Sequence, residues 1–485
     1  MAKQNSGNDQ KNPIDKDTLL VTVLAHNQKL LEQNQKLTGQ VELLTRQVAE
    51  LKKELDKNSR NSNEPPSKDR LGERGKIRKK KKPTGRLKGA QKGHKGHCRQ
   101  LVPVEEVDRI LDFFPGPCDV CQQTPPQVVC DNPIRYQVVE LLPNGAPHIT
   151  EYRRHRIECE CGEQLVAPED EVPISAFGPR LKSFICMLTG EYHLSRRQVV
   201  VFLNDVYRIK ISLGSVSNFE GQMTKVLQKP CDDCMAEVVK SDIKHLDETS
   251  WIRDFERCSV WVFATAFISV FRIAKNGRRS TLLRILGKKH RGILISDRAS
   301  VFLFWSMQKR QVCWSHLLRA FVGFSQRDGP AGVIGKDLVT CAELVLGYWR
   351  AYSSGSVTRE RFELCIDAVR RVTKQLLERA VEAEISEFSG SCANMLKHWE
   401  AMWTFINTKG VEPTNNHAER ELRKLVLWRK KCFGSQSERG DRFVERMMTV
   451  THTLRKQGRR VLNFLHACFQ AEWEKTSAPK LVPST

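Results

Sequence analysis

Two aspartates lie where a sheet could bring them together. Ile243-Lys244-His245-Leu246-Asp247-Glu248-Thr249 reads as a strand carrying Asp247, and Gly292-Ile293-Leu294-Ile295-Ser296-Asp297 as a later strand ending on Asp297. Close carboxylates repel each other unless a cation lies between them. Oxygen ligands of this kind select Mg²⁺ or Mn²⁺, and two such ions about 4 Å apart can activate a nucleophile and stabilise the leaving oxygen of a phosphodiester. A third carboxylate would complete the cage.

A second donor set is built from thiols. Cys118-Asp119-Val120-Cys121 and, later, Cys159-Glu160-Cys161 are close pairs on separate turns. Cys118, Cys121, Cys159 and Cys161 could bind one structural Zn²⁺ tetrahedrally and clamp a small module with little core of its own. Arg135 to Leu142 and His148 to Glu158 read as hairpin strands between the pairs, as in a zinc ribbon, and Cys130 could replace one ligand. Cys231-Asp232-Asp233-Cys234 has no second pair near it and is read as two packing residues. Cys313-Trp314-Ser315-His316 has two readings, a core cysteine with a capping histidine or half of a metal site.

The elements around the aspartates run in a recognisable order. The strand with Asp247 is followed by strands at Val260 to Phe267 and Ser269 to Ala274, a helix at Ser280 to Leu286, and the strand ending on Asp297. Three antiparallel strands, a helix and a fourth strand beside the first are the order of an RNase H-like sheet. That order would put Asp247 and Asp297 at one sheet locus. A further strand, Lys309 to Val312, precedes Cys313.

Upstream, residues Gly178 to Met223 read as three short helices. Pro179 suits a helix start, Ser195 caps the second helix, and Ser212 caps the third. The last two suit a DNA-binding helix-turn-helix, with Ser215, Ser217 and Asn218 near the start of the recognition helix.

The first hundred residues begin with a helix that pairs with a second copy or, alternatively, packs on its own domain. Leu20, Val23, Asn27, Leu30, Asn34, Leu37, Val41, Leu44, Val48, Leu51 and Leu55 alternate in steps of three and four, a seam of about five heptads. Leucine at one core position, with asparagine or valine at the other, favours a parallel two-stranded coil and hence a homodimer. An Asn-, Ser- and Pro-rich linker follows. From Lys76 to Arg99 there are 11 Lys/Arg and no acidic residue. Lys79, Lys80, Lys81, Lys82, Arg86 and Lys88 would grip phosphates with steep salt dependence and little sequence choice.

Composition agrees with a polyanionic partner. Across 485 residues, 79 Lys+Arg against 56 Asp+Glu leave a net charge of +23, which favours nucleic acid over a membrane surface. No stretch approaches the roughly 18 apolar residues of a membrane span. Met1 to Asp17 lacks the apolar core of a signal peptide. The expectation is a cytoplasmic protein with no membrane partner, whose cysteines are mostly reduced.

Gly89-Ala90-Gln91-Lys92-Gly93-His94-Lys95-Gly96-His97, Asp247-Glu248-Thr249 and Asn415-Asn416-His417-Ala418-Glu419-Arg420 stand in this order along the chain. In these motifs the chain resembles the insertion-sequence-66 type of bacterial DDE transposase. It departs from the pattern at Ala90 and Lys92, where the family usually has Gly and Pro, and at Thr414, where many members have Asp. The resemblance implies that Glu419 is the third carboxylate, so that Asp247, Asp297 and Glu419 would hold two Mg²⁺ or Mn²⁺ ions. It gives Cys313, His316, Asn415, Asn416 and Arg420 supporting roles. Arg423, Arg429 and Lys430, on the same helix as Glu419, would hold phosphates beside the metals. The family commonly works with small accessory transposition proteins.

The expected architecture is multidomain α/β. A leucine-zipper coiled coil spans 18–57, a linker and basic segment 58–100, a zinc-binding module 101–172, and a helix-turn-helix region 178–230. An RNase H-like catalytic domain covers 240–326 and 409–475 and is interrupted by a helical insertion at 327–408. The implied function is metal-dependent DNA cleavage and strand transfer at the ends of an insertion sequence. The alternatives are a catalytically inactive zinc-containing DNA-binding protein and an RNase H-like nuclease without strand transfer.

Overall fold

The structure, a computed structural model, describes residues 16–55, 61, 103–106, 110, 147, 149, 156–158, 164–166, 175–287 and 291–482. The four zinc-candidate cysteines and the basic segment with Lys79 to Lys82, Arg86 and Lys88 lie outside the described residues. In chain order the elements are helix α1 (Lys16–Leu55), the antiparallel strands β1 (Arg156–Glu158) and β2 (Gln164–Val166), and helices α2 (Pro179–Gly190), α3 (Arg196–Tyr207), α4 (Leu213–Val226) and α5 (Gln228–Lys240). Strands β3 (Ile243–Arg253), β4 (Glu256–Ala264) and β5 (Ser269–Ala274), helix α6 (Arg279–Leu286), and strands β6 (Ile293–Ser296) and β7 (Arg310–Val312) follow. Helices α7 (Trp314–Ser325), α8 (Gly329–Ser353), α9 (Arg359–Glu382), α10 (Phe388–Lys397), α11 (Trp399–Met402), α12 (Thr404–Asn407), α13 (Asn416–Cys432), α14 (Glu438–Lys456) and α15 (Val461–Trp473) complete it. Helix dominates, with one small mixed sheet of strand order β5-β4-β3-β6-β7.

The chain divides into two compact units. Among the described residues, one takes in those of Met1–Glu73, Asp242–Asp247 and Gly292–Glu419, the other those of Arg74–Ser241, Glu248–Arg291 and Arg420–Thr485.

In the first unit, β6 pairs in parallel with the start of β3 and with β7. Its apolar core runs from Ile295 and Val312 through Trp314, Leu317 and Phe321 into α8, α9 and α10. This explains why a long helical segment separates the sheet from α13, since its helices bury their apolar stripes against α7 and one another. The outer edge of β7 is closed by side chains and backbone of the α11 and α12 region. Thr404 Oγ1 donates to Arg310 O at 2.5 Å, and Phe405 N donates to Gln311 Oε1 at 2.9 Å. Trp314 Nε1 donates to Met402 O at 2.7 Å.

In the second unit, Ser195 and Ser212 accept bonds from the backbone of Gln198 and Ser215 and so open α3 and α4. Asp254 and Phe255 turn the chain between β3 and β4 with φ of 45° and 64°, a left-handed pair that matches the twist of a two-residue hairpin. Strand β5 pairs with β4 on one edge, and α14 covers the other. Ser269 N donates to Thr453 Oγ1 at 3.1 Å and Phe271 N to Thr449 Oγ1 at 3.0 Å, while Ile273 N is bound by Glu445 Oε1. Every second strand amide meets every fourth helix residue, because two strand residues and four helix residues advance by nearly the same distance, about 6–7 Å. An edge that could template another strand is thereby used up.

The expected hairpin strands, Arg135 to Leu142 and His148 to Glu158, lie almost wholly outside the described residues; the described pairing is that of β1 with β2, on either side of Cys159 and Cys161 in sequence. Gly458 at φ 66° turns the chain between α14 and α15. Cys231 and Cys234 are both fully buried on α5, and burial pushes both thiols up, Cys234 to about 12, as packing residues require.

Candidate active site

Parallel register sets the frame of the site. Ile243, Lys244 and His245 face Ile293, Leu294 and Ile295, and Leu294, Ile295 and Ser296 face Arg310, Gln311 and Val312. Continued by two residues on one side and one on the other, this register aligns Asp247, Asp297 and Cys313. Neighbouring strands are about 4.8 Å apart, so Asp247, in the middle of β3, falls in one row with Asp297 and Cys313, which follow the carboxyl ends of β6 and β7. The carboxyl end of parallel strands is where open α/β sheets bind their ligands. Cys313 N donates to Ser296 O at 2.9 Å, which extends the β6–β7 pairing to the row itself.

Asp297 is half-buried and closes a short turn in which its Oδ1 accepts from Ala299 N at 3.0 Å. Burial pushes its carboxyl above the usual carboxylate range, opposed by the Ala299 bond and by the guanidiniums of Arg310, Arg298 and Arg319. Fully buried Arg310 holds the strand end in place, donating to Ser296 Oγ at 3.2 Å and to Asp297 O at 2.6 Å. Asp247 is half-buried, and its neighbour Glu248 is exposed.

Glu419 arrives from the first turn of α13. Just before that helix, Asn415 is fully buried and ties three segments together. Its Nδ2 donates to Leu246 O at 2.8 Å, its Oδ1 meets His245 Nδ1 at 3.1 Å, and its backbone N–H donates to Cys313 Sγ at 3.1 Å. Asn415 O in turn accepts from Glu419 N at 3.2 Å. Nearby, Trp314 N donates to Pro413 O at 2.9 Å and Ser315 Oγ to Asn416 Oδ1 at 3.2 Å. The rings of His245 and His417 stack with centroids 4.9 Å apart. The Asn-Asn pair is therefore the joint that docks the start of α13 onto β3 and α7.

The Glu419 carboxylate meets two side chains of α7. Arg319 NH2 lies 3.1 Å from Oε1 and 3.3 Å from Oε2, and His316 Nδ1 lies 3.5 Å from Oε1. Ligand atoms of Cys313, His316 and Glu419 all fall within 4.8 Å of one another, the single group of three such donors among the described residues. Burial, helped by Arg319 and Arg298, holds the His316 imidazole neutral, its pKa lowered to about 3. Asp247 and Asp297 do not belong to that tight group.

The other sequence candidates fall in the second unit. Ser217 Oγ accepts from Arg439 at 2.7 Å, Ser215 Oγ meets Ser212 Oγ at 2.9 Å, and Asn218 is exposed. Arg429 is bound to Ser250, whereas Arg420, Arg423 and Lys430 are exposed. Glu421 has partners of its own in buried His452 and half-buried Lys456.

Four contributors were missed in the sequence: Arg319, Arg310, His245 and His417. The helical spacing from His316 to Arg319 was a readable signal, because residues three apart share a face. Nothing in the sequence marks Arg310 as a strand-end clamp.

A family model described as "Transposase IS66 family" matches residues 175–442. A second, described only as a family of unknown function, matches residues 10–100. The chain is 25% identical over 335 residues to an uncharacterized protein, y4hP, of Sinorhizobium fredii, covering 61% of this chain and 60% of that protein.

Proposed function

The chain belongs to the IS66 family of transposases, and from that premise we propose that it cuts the ends of an insertion sequence and joins them to target DNA by DDE chemistry on an RNase H-like sheet. The observation that carries this reading is the row of Asp247 within β3 and Asp297 and Cys313 just past the ends of β6 and β7, with Glu419 held against the helix that Cys313 begins. Two carboxylates on adjacent strands, with a third from a docked helix, form a donor set of hard oxygens suited to Mg²⁺ or Mn²⁺. When bound, such ions supply charge neutralisation and a nucleophile at neutral pH.

The chain's own residues supply the positioning. Asn415 fixes the reach of Glu419, Arg319 orients its carboxylate, and Arg310 holds the strand end beneath Asp297. Exposed Arg423 and Lys430, one turn and three turns beyond Glu419, present cations for phosphates. Phosphodiester exchange conserves the bond type, so no nucleotide cofactor is needed.

The zipper reading draws support from α1, a 40-residue helix on which Leu30, Leu37, Val41, Leu44, Val48 and Leu51 are all exposed. An unpartnered heptad seam of that length suits a second copy of the chain, so that two ends are processed together. Gripping of DNA by the basic segment, end recognition through α3 and α4, one structural Zn²⁺ on the four cysteines, help from accessory proteins and a cytoplasmic location belong to the same proposal. No helix among the described residues is long and apolar enough to cross a membrane.

The test is a nicking and joining assay on DNA bearing the inverted repeats that flank the coding region. The reading expects Mg²⁺-dependent cuts at the repeat ends, then joined products. Cuts without joining favour a nuclease, and binding without cuts an inactive DNA-binding protein.

A further inference from the structure

The tight donor group differs in chemistry from the carboxylate pair beside it. Cys313 offers a thiol, His316 a neutral imidazole nitrogen and Glu419 one oxygen. Sulfur and nitrogen donors are poor ligands for Mg²⁺ and good ones for Zn²⁺ and its neighbours. We propose that Cys313, His316 and Glu419 form a binding site for a thiophilic divalent cation of the zinc class, which competes with the hard ions for Glu419. The competition rests on the role given to Glu419 above; the site itself does not.

The geometry is close to what such an ion needs. Zinc bonds of about 2.0–2.1 Å to nitrogen and oxygen, set at the tetrahedral angle, put those two ligand atoms about 3.4 Å apart. His316 Nδ1 and Glu419 Oε1 are 3.5 Å apart. Cys313 and His316 stand at the start and on the first turn of α7, with His316 N donating to Cys313 O at 3.1 Å, so backbone already fixes their spacing. His316 Nδ1 is buried and makes no hydrogen bond among the described residues. Buried polar atoms are nearly always paired, and a ligand explains the exception.

The surroundings favour an ion as well. The Asn415 amide already donates to Cys313 Sγ, a bond that opposes the burial which pushes the free thiol up to about 11. Thiolate and carboxylate together balance a dication. Arg319 NH2 also lies 3.3 Å from Oε2, a contact that does not need Oε1. The Glu419 side chain is 32% exposed, which leaves an entry path and a fourth position for water.

Cobalt reports the site directly, because Co²⁺ bound by a thiolate gives a charge-transfer band. The full-length protein, reduced and stripped of metal, is titrated with Co²⁺ beside Cys313→Ser, His316→Asn and Glu419→Gln. A Cys118→Ser/Cys121→Ser variant identifies any cobalt held by the other thiols, and thermal melts show which variants fold. Each of the three single variants is expected to lose one equivalent of tightly bound Co²⁺, with affinity down at least about 100-fold for a lost ligand. Unchanged stoichiometry in folded His316→Asn and Glu419→Gln overturns the proposal.

Glu419→Gln separates the two readings. Loss of cobalt with Mg²⁺-dependent nicking retained keeps this site and removes Glu419 from the cleavage reaction. Loss of nicking with cobalt retained does the reverse. Zn²⁺ should also release Mn²⁺ from the wild-type protein and not from Cys313→Ser; equal release from both contradicts the competition.

Discussion

Asn415→Ala tests the joint that carries Glu419. The Asn415 side chain is fully buried and makes two bonds, to Leu246 O at 2.8 Å and to His245 Nδ1 at 3.1 Å. Leu246 is itself fully buried and His245 nearly so, at 7%. Truncation removes both buried bonds, at about 1–2 kcal/mol each, for a loss of about 2–4 kcal/mol. For a folded body of this size, about 2–3 °C per kcal/mol puts the fall in Tm at about 4–12 °C. Asn415→Asp keeps the volume but turns a carboxylate oxygen toward the Leu246 carbonyl, so it should cost at least as much as alanine. The backbone bond to Cys313 survives in both variants. Thermal unfolding followed by circular dichroism at fixed protein concentration measures the difference. Both variants melting within 1 °C of wild type would refute the assignment of Asn415 as the joint, and an intact Asn415→Asp with a weakened Asn415→Ala would show that packing, not hydrogen bonding, matters there.

Three further outcomes are expected. Thr449→Val removes the hydroxyl that accepts from Phe271 N at the covered edge of β5 and should cost about 1–3 kcal/mol in chemical denaturation with an unchanged m-value. Burial alone would raise the Glu421 carboxyl, but the His452 bond and charge together with Lys456 outweigh it and hold its pKa at about 2. Because that lies below the unfolded value, the stability it contributes is present above about pH 4.5 and is lost as the pH falls toward 2; Glu421→Gln should be less stable than wild type at pH 7 and equal to it near pH 2. Leu37→Lys with Leu44→Lys puts charge into the exposed seam of α1 and should convert a dimer to a monomer in sedimentation equilibrium.

What the sequence disclosed was mostly periodic or chemically marked. The strands around Asp247 and Asp297 were legible from their apolar runs, and Ser195 and Ser212 marked helix starts because their hydroxyls satisfy otherwise unpaired amides. The Asn-Asn-x-x-Glu-Arg segment was read through a family resemblance, but its physical task was not legible. Asn415 bonds to residues far away in sequence, and no local spacing encodes that. The cover over β5 was hidden for the same reason: Glu445, Thr449 and Thr453 look like an ordinary helix face until their strand partners are known. Arg319 could have been seen from its spacing to His316, yet only the approach of Glu419 gives that spacing meaning.

The central claim is that Asp247, Asp297 and Glu419 act together on hard cations to cut DNA. Its most direct test is Mg²⁺-dependent nicking of the flanking inverted repeats by wild type and by Asp247→Asn, Asp297→Asn and Glu419→Gln, each shown to be folded and to bind the same DNA. Loss of one ligand should remove about 4 kcal/mol or more of transition-state stabilisation, so each variant should fall about 1000-fold or further. Nicking within tenfold of wild type in any one of the three would contradict the account.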